Sequence, residues 1–270
     1  METIDVWAQI MTERMARAPW LESLLRWTGR EGGMPRITPE MTLAAMDAAG
    51  VGTALLAGWH GPEGWLISNE EVNAQIDAAP ERFRGLASVD LHRPMEAVRE
   101  IRRWVDGERF VGVRIVPWLW DLPPNDRRYY PVYAACVDAG VPFCTQIGHT
   151  GPLRRSETGR LIPYLEDVLL DFPELVVVGG HVGFPWLDEV VSLAFKFPNF
   201  YVDTSAYTVR RLPPDFVSFL RGPGKGRVMF GTNWPMIPPK HCLEGLDQLG
   251  LPEETQSAFL HETARKVFKL

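Results

Sequence analysis

The sequence predicts an α/β chain folded as one (β/α)8 TIM barrel over residues 1–270, with a capping segment after the first strand. Three observations predict it. Short apolar runs recur at regular spacing along the 270 residues. Amphipathic helical segments fill the intervals, their apolar residues spaced i, i+3, i+4, i+7. No internal repeat or low-complexity linker divides the chain. Eight strands alternating with eight helices is the arithmetic of a closed parallel barrel of about 250 residues. An open doubly wound sheet is the alternative, but eight regular units favour closure.

The first strand is read at 4–10, "IDVWAQI". Alternation puts Asp5, Trp7 and Gln9 on one face, so an acid, an indole and an amide aim at the same place. The segment 11–37 exceeds an ordinary connection. It carries "WLESLLRWTG" and Gly32-Gly33, and is expected to form a short helix capping the barrel mouth. Helix 39–49 leads through "DAAGV" into strand 52–58. Helix 69–79, strand 83–90, helix 94–106 and strand 110–117 follow. Helix 127–139 ends in "VDAGV" and precedes strand 141–148. Helices 161–171, 186–197 and 213–221 then alternate with strands 175–182, 200–206 and 227–234, and helix 253–269 comes last. Gly and Pro punctuate several helix ends. The strands are continuous apolar runs, as parallel strands covered on both faces should be.

Composition excludes several classes of function. A net charge of -6 argues against non-specific nucleic-acid binding. Cys136, Cys144 and Cys242 show no CxxC spacing, so neither a disulfide framework nor a structural zinc site is expected, and a reducing cytoplasm fits. The first residues include Glu2 and Asp5 rather than a basic-then-apolar signal, and no apolar run is long enough to span a membrane. GxGxxG, GxxxxGK[ST] and GxSxG are absent, which removes nucleotide-fold and serine-elbow readings. Cys144 lies inside a strand and reads as core.

Barrel enzymes carry their chemistry at the C-terminal ends of the strands. That rule selects Asp5, Trp7 and Gln9, then Trp59 and His60, Asp90 and His92, Arg114 and Trp118, Gln146 and His149, His181, Asp203 and Tyr207, and Asn233 and Trp234. A buried guanidinium such as Arg114 in "FVGVRIVPW" is costly without a partner. It either pairs with Asp5 or Asp90 or awaits an anionic substrate. His92, opening a helix, reads as structural. Asp203 reads as structural or as the orienter of a neighbour. Arg154, Arg155, Arg160, Arg210 and Arg211 cluster on the loops after strands 5 and 7. They suit phosphate recognition, or are ordinary solvated or dimer-bridging charge.

Four stretches together carry a resemblance: "GGHVGFPWLDE" at 179–189, "FPNFYVDTSAY" at 197–207, "VMFGTNWPM" at 228–236 and "ETARKVFKL" at the end. They resemble the amidohydrolase-related family, which includes aminocarboxymuconate semialdehyde and γ-resorcylate decarboxylases. The resemblance implies a (β/α)8 barrel that binds a divalent metal through Asp-x-His-x-His on strand 1, a strand-5 His and a strand-8 Gly-Ser-Asp. Here the corresponding positions hold Trp7, Gln9, Gln146 and Asn233; only Asp5 and the strand-6 His181 keep the family identity. Indole has no lone pair to give and side-chain amides are poor zinc ligands. No catalytic metal is therefore expected, convergence of His60, His149 and His181 being the remaining route to one. The "DVWAQ", "CTQIGHTGP" and "TNWPM" variants resemble a metal-less branch, the 4-hydroxyphenyl-β-ketoacyl-CoA hydrolases.

The leading expectation is accordingly a metal-independent hydrolase without cofactor, cleaving a carbon–carbon bond of an aromatic β-ketoacyl-CoA. His181 and His149 would activate water and Arg114 would hold the oxyanion. Asp5, Trp7, Gln9, His60, Gln146, Asn233, Tyr207, Arg154 and Arg155 would bind substrate, the last two at coenzyme A phosphates. A decarboxylase of an aromatic or β-keto acid is the alternative, with Arg114 on the carboxylate and His181 protonating carbon. A non-catalytic binding protein is the third reading. The resemblance also implies a homodimer; a small-molecule substrate and neither nucleic acid nor membrane complete the expected partners.

Overall fold

Runs of β-branched and aromatic residues become strands because both faces of a parallel sheet are covered. The computed structural model describes residues 2–27, 29–30 and 33–270. Its strands are β1 (Thr3–Ala8), β2 (Val51–Ala57), β3 (Trp59–Gly61), β4 (Gly64–Ile67), β5 (Phe83–Ala87), β6 (Phe110–Ile115), β7 (Phe143–Gln146), β8 (Val177–Gly180), β9 (Phe200–Asp203) and β10 (Val228–Met229). Eight of them form one parallel sheet in the order β1-β2-β5-β6-β7-β8-β9-β10, with helices in the crossovers. The segment after β10 closes the sheet on β1: Val6 N–H donates to the Phe230 carbonyl at 3.0 Å, Gln9 N–H to the Trp234 carbonyl at 3.0 Å, and Asn233 N–H to the Trp7 carbonyl at 2.8 Å. The expected TIM barrel is the fold.

Every barrel strand contributes to one inner cluster, which includes Ile4, Leu55, Leu86, Val111, Cys144, Val178, Tyr201 and Met229. Ala264, Val267 and Phe268 of the C-terminal helix pack into the same cluster. Cys144 is core, its thiol pushed well up by burial. Helix faces cover the outside, for example Val132, Tyr133 and Cys136 of Tyr130–Ala139.

Three departures from the sequence reading matter for the site. The strand expected at 227–234 is regular only over Val228–Met229, because the chain turns in towards β1 with Asn233 at φ 72°. The residues after β2 form an antiparallel hairpin, β3–β4, rather than a simple strand end. The pairing of β1 with β2 shifts register between Thr3 and Ile4 and again between Asp5 and Ala8, which breaks plain alternation. The capping segment holds short helices at Glu13–Ala16 and Leu21–Trp27. It is tied to the hairpin by Thr12 Oγ1–H donating to the Leu66 carbonyl at 2.6 Å and Arg14 to the Trp65 carbonyl at 2.9 Å. The expectation attached to Thr28 and Gly32 lies outside the described residues.

Candidate active site

A cavity of about 380 Å³ opens at the C-terminal end of the barrel. Its walls are mainly apolar. Trp20 of the capping segment meets Trp59 face to face at 5.9 Å and Trp118 edge-on at 5.0 Å. Met11, Met15, Leu21 and Leu24 close it from the capping side, and Phe184, Met236 and Ile237 from the other loops. The polar groups reaching it are Gln9, Gln146, His149, His181, Tyr207 and Asn233, with exposed Arg211 at the rim. An apolar pocket with a few convergent polar groups is the usual form of a small-molecule site.

His181 sits just past β8 in the left-handed region, φ 75°, followed by Val182 at 66°. Such backbone strain in non-glycine residues concentrates at functional sites. The glycines before it make room for hydrophobic side chains rather than for substrate. A Cβ on Gly180 would lie 2.4 Å from the Trp7 ring, and one on Gly179 2.6 Å from Ile147. His181 Nδ1 lies 2.6 Å from Ser205 Oγ, and Ser205 in turn hydrogen-bonds Asp203 through both its hydroxyl and its N–H, the latter at 2.8 Å. Burial, reinforced by the charge of Arg114 and the proximity of His149, pushes His181 down to about 3. Its imidazole is therefore neutral across the physiological range.

Arg114 is only 2% exposed and lies beneath the cavity floor rather than in its lining. It pairs with neither Asp5 nor Asp90. Nη2–H donates to Gln9 Oε1 at 3.0 Å and to the Ala8 carbonyl at 3.3 Å, and Nη1 has no hydrogen-bond partner among the described residues. Its guanidinium sits 4.3 Å from the Trp7 ring centroid and 5.5 Å from that of Trp59. Burial pushes it down to about 9, still cationic at neutral pH.

The first-strand trio separates. Asp5 is removed from the cavity: it accepts from Thr232 Oγ1–H at 2.5 Å, Thr232 N–H at 3.0 Å and Trp7 N–H at 3.1 Å. Burial raises it to about 7. Trp7, 1% exposed, lies behind the cavity lining, its ring 4.9 Å from His181. Gln9 reaches the cavity, its Nε2–H groups donating to Asn233 Oδ1 at 3.0 Å and the Trp234 carbonyl at 2.5 Å. Gln146 spends its carbonyl on Trp118 Nε1–H at 2.6 Å and donates to the His149 carbonyl at 2.9 Å. It thus shapes the wall more than it offers a free group, whereas Asn233 Nδ2 has no partner among the described residues.

The remaining expected residues fall elsewhere. His60 is carried off by the β3–β4 hairpin into a second hollow with Trp65, Asp90 and Glu100, its ring stacked 5.8 Å from Trp120. Arg154 borders a neighbouring hollow beside Trp20, and Arg155 is exposed without lining the cavity. Arg160 and Arg210 are taken up by Glu189 at 2.9 Å and Glu244 at 3.5 Å. Ser205 was not among the expected site residues; its only sequence signal is its place two residues past Asp203 at a strand end.

The comparisons correct two expectations. Over 256 residues, 75% of each chain, the protein is 25% identical to γ-resorcylate decarboxylase of Rhodococcus jostii (strain RHA1). A TIM-barrel protein of Bordetella bronchiseptica superposes with a TM-score of 0.83 at 26% identity, covering 100% of this chain and 99% of that one. A dihydroxybenzoic acid decarboxylase from Polaromonas sp. JS666, with bound manganese and the inhibitor 2-nitroresorcinol, superposes at 0.72 and 18% identity, covering 100% and 97%. The curated relatives are γ-resorcylate decarboxylases, which overturns the expected β-ketoacyl-CoA hydrolase. The manganese bound by the Polaromonas enzyme overturns the expectation that no catalytic metal is to be looked for here.

The donors this chain offers are nevertheless a poor fit for such an ion. No three His, Cys, Asp or Glu side chains converge among the described residues. Asp5 is saturated by Thr232 and Trp7, and Gln9, Gln146 and Asn233 are neutral amides already hydrogen-bonded to protein. Hard divalent cations need several free oxygen ligands, carboxylates foremost, and the described residues do not gather such a set here. Among the described residues no helix is long and apolar enough to cross a membrane. The amidohydrolase family profile matches residues 4–270, and the chain belongs to that family of enzymes.

Proposed function

We propose that the protein decarboxylates a small hydroxylated aromatic acid. The observation that carries this is the pairing of an aromatic wall, Trp20, Trp59 and Trp118, with His181 and the Asn233 amide reaching the same cavity. Arg114, beneath the cavity with no carboxylate in hydrogen-bond contact among the described residues, adds positive potential under it that favours an anionic substrate. Trp20, Trp59 and Trp118 suit a planar ring, and stacked or edge-on aromatic pairs add about 0.5–1.5 kcal/mol each. Arg211 at the rim draws the acid in, and the Asn233 amide offers a hydrogen bond.

The chemistry follows from these groups. His181 Nε2, the ring nitrogen not engaged by Ser205, transfers a proton to the ring carbon bearing the carboxylate. The ring's own π electrons form that C–H bond, helped by an electron-releasing hydroxyl. The carbon–carboxylate bond then breaks, its electron pair restores the aromatic ring, and carbon dioxide leaves. Apolar walls favour this step because an anionic carboxylate becomes a neutral molecule. The names of the decarboxylase relatives support the reading.

The test is a panel of mono- and dihydroxybenzoic acids offered to the purified full-length protein, with and without added manganese. Release of carbon dioxide, and one deuterium at the vacated carbon when the reaction runs in D2O, is the expected result. Acids that bind but release no carbon dioxide under either condition would overturn it.

A further inference from the structure

We propose that Asp203 and Ser205 are positioning residues that set which nitrogen of His181 carries the proton, making its cavity-facing nitrogen an acid or a base. The chain is continuous: Asp203 Oδ1, Ser205 Oγ, His181 Nδ1, with 2.6 Å between the last two. Ser205 has one hydroxyl proton and two neighbours that can take it. An ionised Asp203 only accepts, so Ser205 donates to it and must accept from His181 Nδ1–H. Nε2 is then bare, a base. A protonated Asp203 donates to Ser205, whose hydroxyl proton turns to Nδ1. Nε2 then carries hydrogen, a donor.

The surroundings place the switch at Asp203. It is 0% exposed, and its second oxygen, Oδ2, is buried without a hydrogen-bond partner among the described residues, so the ionised form is poorly satisfied. Burial raises it to about 6, opposed by its bonds to Ser205, by the nearby His181 backbone N–H and by the charge of Arg114. The other ionisable groups around the chain are Asp5 on β1, Arg114 on β6, Cys144 on β7 and His149 after β7. His181 is held neutral, so no imidazolium is available as donor near neutrality. A neutral imidazole releases a proton at Nε2 readily only if it gains one at Nδ1 in the same event. The relay supplies that proton: Nε2–H passes to substrate, the Ser205 proton passes to Nδ1, and the Asp203 proton passes to Ser205. Asp203 is left ionised and is reprotonated from solvent before the next turnover.

The catalytic use of the relay rests on the decarboxylase reading, whereas the tautomer switch does not, so the test needs no substrate. Two-bond 1H–15N correlation spectra of the histidine-labelled, full-length protein report the His181 tautomer directly. The peak is assigned by its loss in His181→Asn. The expected result is Nε2–H at pH 5 and Nδ1–H at pH 8. In Asp203→Asn, near-isosteric with the parent, the tautomer is the same at both values. In Ser205→Ala the pH switch disappears. One unchanging tautomer in the parent protein, or a switch that survives either substitution, would overturn the proposal. Where an aromatic acid is turned over, Ser205→Ala lowers kcat on the order of 100-fold, the scale of general acid catalysis, and leaves KM nearly unchanged.

Discussion

Asp5 carries the family's identity at its position yet has become a structural carboxylate. Its oxygens join β1 to the turn after β10 through Thr232 and Trp7. Because burial raises it to about 7 from the ordinary 3.8, the folded chain binds its proton more tightly than the unfolded chain does. The sign follows from linkage: between those two values the native state holds more protons, so stability falls as pH rises. Its contribution is fully present below pH 3.8 and is lost as pH climbs through about 7. The full difference is on the order of 4 kcal/mol. Chemical denaturation at pH 5 and pH 8 is expected to show lower stability at pH 8, and Asp5→Asn to reduce that difference. An unchanged slope in the variant would remove Asp5 from the explanation.

At the scale of elements, the capping segment and the β3–β4 hairpin act together. Thr12 and Arg14 fasten the cap to β4, and Arg14 also pairs with Glu71. Glu71 in turn completes a capping box with Ser68 at the head of helix Asn69–Ala78, a local lock worth about 1 kcal/mol. This seating delivers Trp20 onto Trp59 and Trp118. Trp20→Ala should therefore weaken aromatic-acid binding about tenfold, the equivalent of one aromatic contact, while leaving the fold intact. Isothermal titration with an unreactive aromatic acid measures this, and full affinity would mean that the cage does not grip the ring.

At the scale of the molecule, the barrel is filled from its own strands and stoppered by its last helix. Phe268 is 2% exposed and joins the inner cluster with Val267 and Ala264. Removing a buried aromatic side chain leaves a cavity that the rigid barrel closes only in part, a loss of about 3–5 kcal/mol. Phe268→Ala is thus expected to lower the denaturation midpoint in one cooperative step. A loss below about 1 kcal/mol would show that the C-terminal helix is peripheral to stability.

Much of this was legible without coordinates. Continuous apolar strands at regular spacing and amphipathic helices between them determine a parallel α/β fold, and eight regular units favour closure into a (β/α)8 barrel over an open doubly wound sheet. The strand-end rule picked out His181, His149, Gln9 and Asn233, which the cavity does bring together. The same rule picked out His60, and loop charge picked out Arg155, neither of which reaches the cavity, because a hairpin and an exposed loop carry those side chains away from the mouth. Period-two alternation placed Asp5 with Trp7 and Gln9, but the pairing of β1 shifts register between Asp5 and Ala8 and the three separate. Spacing reports which residues end a strand, not which way a turn then aims them. The Asp203–Ser205–His181 chain and the solitary guanidinium of Arg114 exist only once β1, β6, β8 and β9 meet around one axis, because a hydrogen bond is decided by tenths of an ångström between residues far apart in sequence.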